Sequence, residues 1–353
     1  MTRTEAILVP LSAIFAAMLV FGIFVATLGV NPLLVYGSIY KAAFGSWYSW
    51  QNTLVRASPL LLTGLCTAIP ARAGIIVIGN EGAVVVGGLG AVVGGLATLS
   101  FPPFLSLTVM VLCAMLCGGL WIAFCVVLQH YRGVNAVISG LLLSYLAIAL
   151  MNQLIEGPLR DPSSLNSPAT YPLTPDHRLG YFSGTHIHHG LIFGIVACLA
   201  AWFLIQRTTF GFAMKVCGGN VRAAQLSGLP VGKLVAMAGF LGGASAGIAG
   251  MIEVAAVHGR ANESLNAGYG YVGILVAFLA RQSPLGVILI SLLMGGLLAS
   301  GGMLQRAHDL PDATIAVLEG ILFLFILLSD TLYGRFRFPW VRSGETKADA
   351  VAV

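Results

Sequence analysis

The chain has 353 residues, 58% of them hydrophobic and only 9% charged, with 18 Lys and Arg against 13 Asp and Glu. A soluble domain carries about 25% charged residues and needs a broad polar skin, because much of its surface stays wet. This composition, with a mean hydropathy of +0.91, excludes a soluble globular protein, and its wealth of large apolar side chains excludes a disordered one.

In chain order, apolar runs able to cross a bilayer as helices, about 17–25 residues each, fall near 6–29, 53–70, 83–99, 104–128, 134–156, 187–206, 234–256, 284–302 and 312–330. A shorter run at 268–281 counts as a tenth, incomplete crossing. The runs are continuously apolar and do not alternate, which argues against a barrel. The expected fold is therefore an all-α integral membrane protein of about ten transmembrane helices. The first run lacks a small-residue cleavage site and reads as a retained span, not a signal peptide.

Ten crossings put both termini on one side. With the termini cytoplasmic, the inner segments hold Arg3, Arg72, Arg132, Arg207, Lys215, Arg222, Lys233, Arg281, Arg335, Arg337, Arg342 and Lys347. The outer segments then hold only Lys41, Arg160, Arg178, Arg260 and Arg306. This basic excess favours cytoplasmic termini. Arg56 falls within the second run, near enough its outer end to snorkel. Segment 71–82 reads either as a cytoplasmic loop or as a broken turn embedded in the membrane.

Cys66, Cys113, Cys117, Cys125 and Cys198 lie inside the runs and Cys217 in an inner loop. They read as small packing residues without metal-type spacing. Gly239, Gly243 and Gly247 recur every four residues, as do Gly90 and Gly94, which lets neighbouring backbones approach closely.

No P-loop is present, and Gly228-Leu-Pro-Val-Gly-Lys233 has the wrong spacing, so the chain is not expected to split ATP or to be an enzyme. His-Glu-x-x-His and Gly-x-Ser-x-Gly are also absent. Gly268-Tyr-Gly-Tyr-Val-Gly273 matches the dinucleotide fingerprint but opens an apolar run without a preceding strand, and reads as a chance match. His186-Ile-His188-His189 offers three imidazoles at an outer edge. With no Cys, Asp or Glu beside them, an interfacial cluster is favoured over a metal site.

Gly218-Gly-Asn-Val-Arg-Ala-Ala-Gln-Leu-Ser-Gly228-Leu-Pro230 is more informative. Asn220 suits an N-cap, Val221 to Ser227 make about two turns, Gly228 suits a left-handed helix end, and Pro230 can open the next helix. Two isolated turns are unstable in water, so this helix needs a partner surface. Its Ala223 and Ala224 would let it sit deep in a groove; the alternative is a connector lying on the membrane.

From Gly219 to Gly228, and on through Gly243-Ala-Ser-Ala-Gly-Ile-Ala-Gly250, the chain resembles permease subunits of bacterial ABC importers. The closer likeness is to the nucleoside and simple-sugar branch of the branched-chain amino acid and ribose permease superfamily. Leu54-Val-Arg-Ala-Ser-Pro-Leu-Leu-Leu-Thr-Gly64, Ile78-Gly-Asn-Glu-Gly82, Gly133-Val-Asn-Ala-Val-Ile-Ser139, Gly157-Pro-Leu-Arg-Asp-Pro162, His258-Gly-Arg260 and Gly268 to Gly273 carry the likeness, which covers roughly 50–330. It implies a permease domain over 1–335 with broken helices near a translocation path, and a cytoplasmic tail, 336–353. A coupling helix at about 219–228 would use Gly219, Asn220, Arg222, Ala223, Ala224 and Gly228 to dock on a cytoplasmic ABC ATPase. That partner would use ATP and Mg, with no cofactor in this chain. A second permease chain, different from this one, and a periplasmic or lipid-anchored solute-binding protein complete the implied assembly, in a bacterial inner membrane. The chain departs from the family pattern at Ala136, where Glu is expected, and at Ala83, where Gln is expected.

Ionisable groups inside spans are costly and so become functional candidates. Asn80 and Glu81 stand where Gly79 and Gly82 can break a helix, which is tolerated only beside protein or an aqueous cavity. They line the path or cap the third helix. Glu253 lies near the outer end of the seventh run and Glu319 well inside the tenth, where it can instead serve a helix end or Arg281. Asn135, Ser139, Ser144 and Asn152 are uncharged candidates for a hydroxyl-rich solute. The rival class is an ion-coupled secondary transporter, which also uses broken helices and would need Glu81, Glu253 or Glu319 for coupling. The net charge of +5 records orientation and implies no nucleic-acid partner.

Overall fold

The computed structural model describes residues 5–164, 167–311 and 313–332. The expected tail, 336–353, and Arg3 lie outside the described residues. Every apolar run becomes a helix: α1 (Glu5–Thr27), α3 (Trp47–Ala71), α4 (Asn80–Ala97), α5 (Pro103–Arg132), α6 (Ala136–Glu156), α7 (Gly190–Arg207), α10 (Val231–Ile252), α11 (Tyr269–Leu279), α12 (Pro284–His308) and α13 (Ala313–Leu332). The sequence reading missed α2 (Pro32–Phe44) and α8 (Thr209–Gly219), while α9 (Val221–Leu226) is the short capped helix it anticipated. No named strand occurs among the described residues, only three isolated bridges.

Among the described residues, seven helices are long and apolar enough to span a bilayer, or eight if α1 and α2, bent at 115°, form one broken span. The expected count of ten crossings is therefore loose, while the all-α membrane architecture stands. The short member is α11, whose 11 residues rise only about 16 Å.

The core is a three-helix contact of α4, α5 and α10, built on glycine. A Cβ on Gly243 would strike the Gly118 carbonyl, one on Gly247 the Ala114 carbonyl, and one on Gly250 the Val84 carbonyl. Close backbone approach of this kind supplies the dispersion contacts that hold helices together where lipid offers no hydrophobic drive. All six cysteines are free. Cys66, Cys125, Cys198 and Cys217 are buried, and burial pushes the Cys217 thiol on α8 upward.

Two hairpins of helices are broken in the same way. After α3 the chain turns at residues 71–74, where Gly74, at φ +80°, packs against Gly218 of α8. It re-enters as an extended segment through 75–79, with Gly79 against Ile122 and Gly140, and α4 starts inside the bundle. Segment 71–82 is thus neither a simple loop nor one embedded turn, but a surface turn followed by a buried break. After α10 the chain passes through a π-helical turn, Glu253–His258, and α11 then starts inside the bundle at Gly268, φ +81°. The N-termini of α4 and α11 meet. From there α4 runs toward one end of the bundle, and α11 runs toward the end that carries α9.

The end opposite α9 is covered by residues 157–164 and 167–189, part of whose backbone bonds to the chain after α10. Thr170 N–H donates to Ala261 O at 3.0 Å, Leu173 N–H to Gly259 O at 2.8 Å and Leu179 N–H to Ala255 O at 2.9 Å. The Tyr181 hydroxyl donates to Ala256 O at 2.7 Å. A π-turn displaces the regular helical hydrogen bonds; Leu179 and Tyr181 supply donors to two of its carbonyls.

Candidate functional site

The junction of the two half-helices places an amide and a carboxyl group in the interior. Asn80 and Glu81 are wholly buried. Asn80 Nδ2 donates to Thr63 O at 3.1 Å and to Thr67 Oγ1 at 2.8 Å, while its Oδ1 has no protein partner. Glu81 Oε1 accepts from Gly268 N–H at 2.9 Å and Oε2 from Gly270 N–H at 2.6 Å. These donors belong to the first turn of α11, whose orphan N–H groups need an acceptor in a water-poor interior. Gly270 leaves no room for a Cβ against the Glu81 backbone, and Gly273 packs as tightly on Thr63. The repeated glycines of 268–273 are explained by this seam.

The remaining expected path residues lie at α6, in the π-turn and on α13. Asn135 caps α6, its Oδ1 accepting from Val137 N–H at 2.8 Å. Ser139 is buried beside Cys125 Sγ at 3.2 Å. Ser144 Oγ accepts from Gly82 N–H at 3.3 Å, which ties α6 to the first turn of α4. Glu253 opens the π-turn, buried, with its Oε2 3.6 Å from His258 Nε2. Glu319 lines a cavity of about 290 Å³ with Ile78, Tyr271 and Phe323. Asn80, Glu81 and Glu253 share one region, while Asn135 caps α6 and Ser139 immediately precedes Gly140, which packs on Gly79.

Arg56, near enough the outer end of its run to snorkel, is exposed, and its guanidinium lies beside the Tyr269 hydroxyl on α11 and near Glu253. Only the third dimension brings these groups together, though one signal was available. Asn52, Arg56, Thr63 and Thr67 fall within about 60° of one another at 100° per residue, a polar stripe down one face of an apolar helix.

His186, His188 and His189 do not converge. The His186 ring meets Tyr48 edge-on, with centroids 6.2 Å apart, and His189 meets Phe182 at 4.7 Å. His188 is buried, and burial holds its pKa down at about 4, against a smaller opposing pull from the Val55 backbone. No group of three metal-type ligands occurs among the described residues.

At the other end of the molecule, Asn220 Oδ1 accepts from Ala223 N–H at 3.0 Å and opens α9. Gly228, at φ +76°, closes it. The face it presents differs from the one anticipated. Ala224 is completely buried against the chain's own bundle, so it cannot enter a partner's groove directly. Val221, Arg222, Ala223, Gln225 and Leu226 face outward, and Leu226 is 84% exposed.

A family model described as branched-chain amino acid transport system / permease component matches residues 49–327, from the start of α3 into α13. The chain belongs to that permease family. It is 29% identical to a glucose ABC transporter permease protein of Haloferax volcanii, over 97% of this chain and 93% of that one. It is 29% identical to a guanosine ABC transporter permease protein of Bacillus subtilis, over 93% and 94%. A nucleoside ABC transporter permease protein of Lactococcus lactis is 24% identical, over 92% and 91%. The permease is thus a multi-pass membrane protein, and the matched region contains the half-helix seam, the π-turn and α9.

Proposed function

We propose that this permease moves nucleosides or simple sugars into a bacterial cell across the inner membrane, as one subunit of an ATP-driven importer. The observation that carries the reading is α9. A six-residue helix is too short to hold itself together in water, yet this one is capped at both ends and presents Val221 and Leu226 to the outside. Such a helix is suited to a groove on a cytoplasmic ATPase, with Gly219, Asn220, Arg222, Ala223 and Gly228 shaping the docked surface and Ala224 anchoring it from behind. On this reading both termini are cytoplasmic, the domain runs over 1–335 and the tail over 336–353. Residues 157–164 and 167–189 then face the periplasm, where a solute-binding protein delivers its load. A second permease chain, different from this one, completes the membrane unit, and ATP and Mg act only on the ATPase.

Asn80, Glu81 and Glu253 belong to the solute path, with Asn135 and Ser139 at its inner flank. The Glu81 seam keeps the path closed until the two half-helices part. Purification with the products of the neighbouring genes tests the assembly. An ATPase that comes with this chain supports the reading, and a chain that transports alone under an ion gradient favours the secondary transporter. Equilibrium binding of a nucleoside and sugar panel to the partner binding protein identifies the solute.

A further inference from the structure

Trp47, Tyr48 and Trp50 at the start of α3 are exposed, as suits side chains at a membrane–water boundary. Arg56 lies nine residues further, about 13 Å deeper along the helix axis, and its side chain is exposed. A guanidinium at that depth cannot face hydrocarbon without heavy cost, so it faces water or another chain. It belongs to the polar stripe of α3, whose inner half is filled: Thr63 is covered by Gly273 and Asn80, and Thr67 by Asn80. The outer half is Asn52, half-exposed, and Arg56.

Two further elements complete the wall. Side chains on a helix tilt toward its N-terminus. Tyr269, one turn before Gly273 on α11, therefore leans from the Thr63 level toward Arg56, where its hydroxyl sits beside the guanidinium. Glu253 is buried behind them with His258 at 3.6 Å. What the wall offers is the guanidinium fork, an amide and a phenol: several donors and acceptors in a row, suited to neighbouring hydroxyls on a ring.

We propose that Asn52, Arg56 and Tyr269 form a transient subsite for the vicinal hydroxyls of a sugar ring, the part shared by ribonucleosides and free sugars, with Glu253 as the positioning residue behind Arg56. The proposal rests on the import reading above and deepens it.

The test uses the complete importer in proteoliposomes with its binding protein. Uptake of a ribonucleoside is compared with that of its 2′,3′-dideoxy analogue, or a free sugar with its deoxy analogue, after binding of each to the binding protein is measured separately. Arg56→Met is expected to lower the hydroxyl-to-deoxy uptake ratio by about tenfold, the effect of about one lost hydrogen bond, and Arg56→Lys to recover part of it. Tyr269→Phe, which removes a single oxygen, is expected to lower the ratio in the same direction and guards against misfolding of the Arg56 variant. An equal loss for both solutes, an unchanged ratio in Tyr269→Phe, or an Arg56→Met permease that separates from its partner permease overturns the subsite. In those cases the wild-type importer still works and the import reading survives. A wild-type complex that imports no ribose- or hexose-containing solute overturns both.

Discussion

Replacing Glu81 tests the seam at the centre of the molecule. Its carboxyl group receives Gly268 N–H at 2.9 Å and Gly270 N–H at 2.6 Å, in a site closed to solvent. Glu81→Ala removes both acceptors, and Gly270 packs too tightly on the Glu81 backbone for the seam to close over the gap. A buried N–H left without a partner costs about 1–3 kcal/mol, so two cost about 2–6 kcal/mol. Glu81→Gln keeps one carbonyl acceptor and is expected to lose about half as much. Fluorescence-detected thermal denaturation of the detergent-solubilised complex should rank the proteins wild type, Gln, then Ala, with uptake falling in the same order. An Ala variant as heat-resistant as wild type, or a Gln variant weaker than Ala, would refute the assignment of Glu81 as the cap of α11.

Other outcomes follow from single positions. Ala223→Arg, on the outward side of α9, should leave the chain folded while abolishing ATPase docking, whereas Ala224→Arg, on the buried side, should lower the amount in the membrane; pull-down and membrane yield separate the two. Gly247→Val drives a side chain into the Ala114 carbonyl and should cost at least the 1–3 kcal/mol typical of overpacking, seen as reduced yield. His188 titrates at about 4 when folded because burial disfavours its charged form, against about 6.5 unfolded. The unfolded chain therefore binds more protons between those values. Stability is full above pH 6.5 and declines as pH falls from about 6.5 to about 4, and His188→Phe should flatten that decline in a pH series of melting curves.

What could be read from the sequence was local. The caps of α9 lie within three residues of the turns they close, so Asn220 and Gly228 were legible, as were the continuous apolar runs. The bent α1–α2 pair was not, because Pro32–Phe44 carries Tyr36, Ser38 and Lys41 and its course depends on packing against α12, where Ser38 Oγ lies 2.8 Å from His308 Nε2. Glu81 could be marked as an ionisable group beside a helix break. Its partners, however, stand 187 and 189 residues away, and glycines carry no side-chain signal of an exposed N–H. The neighbours of Arg56 were hidden for a related reason: position within an apolar run gives depth, not the identity of the helix it faces. Ala224 shows the same limit on a smaller scale, since two turns of small residues do not reveal which side is buried.

The central claim is that solute movement is driven through α9 by a separate ATPase. ATP turnover by the purified complex, measured with and without solute-loaded binding protein, tests it most directly. The account predicts that loaded binding protein raises turnover and that Ala223→Arg removes both the stimulation and the uptake. Uptake that continues without the ATPase and follows an imposed ion gradient would contradict it.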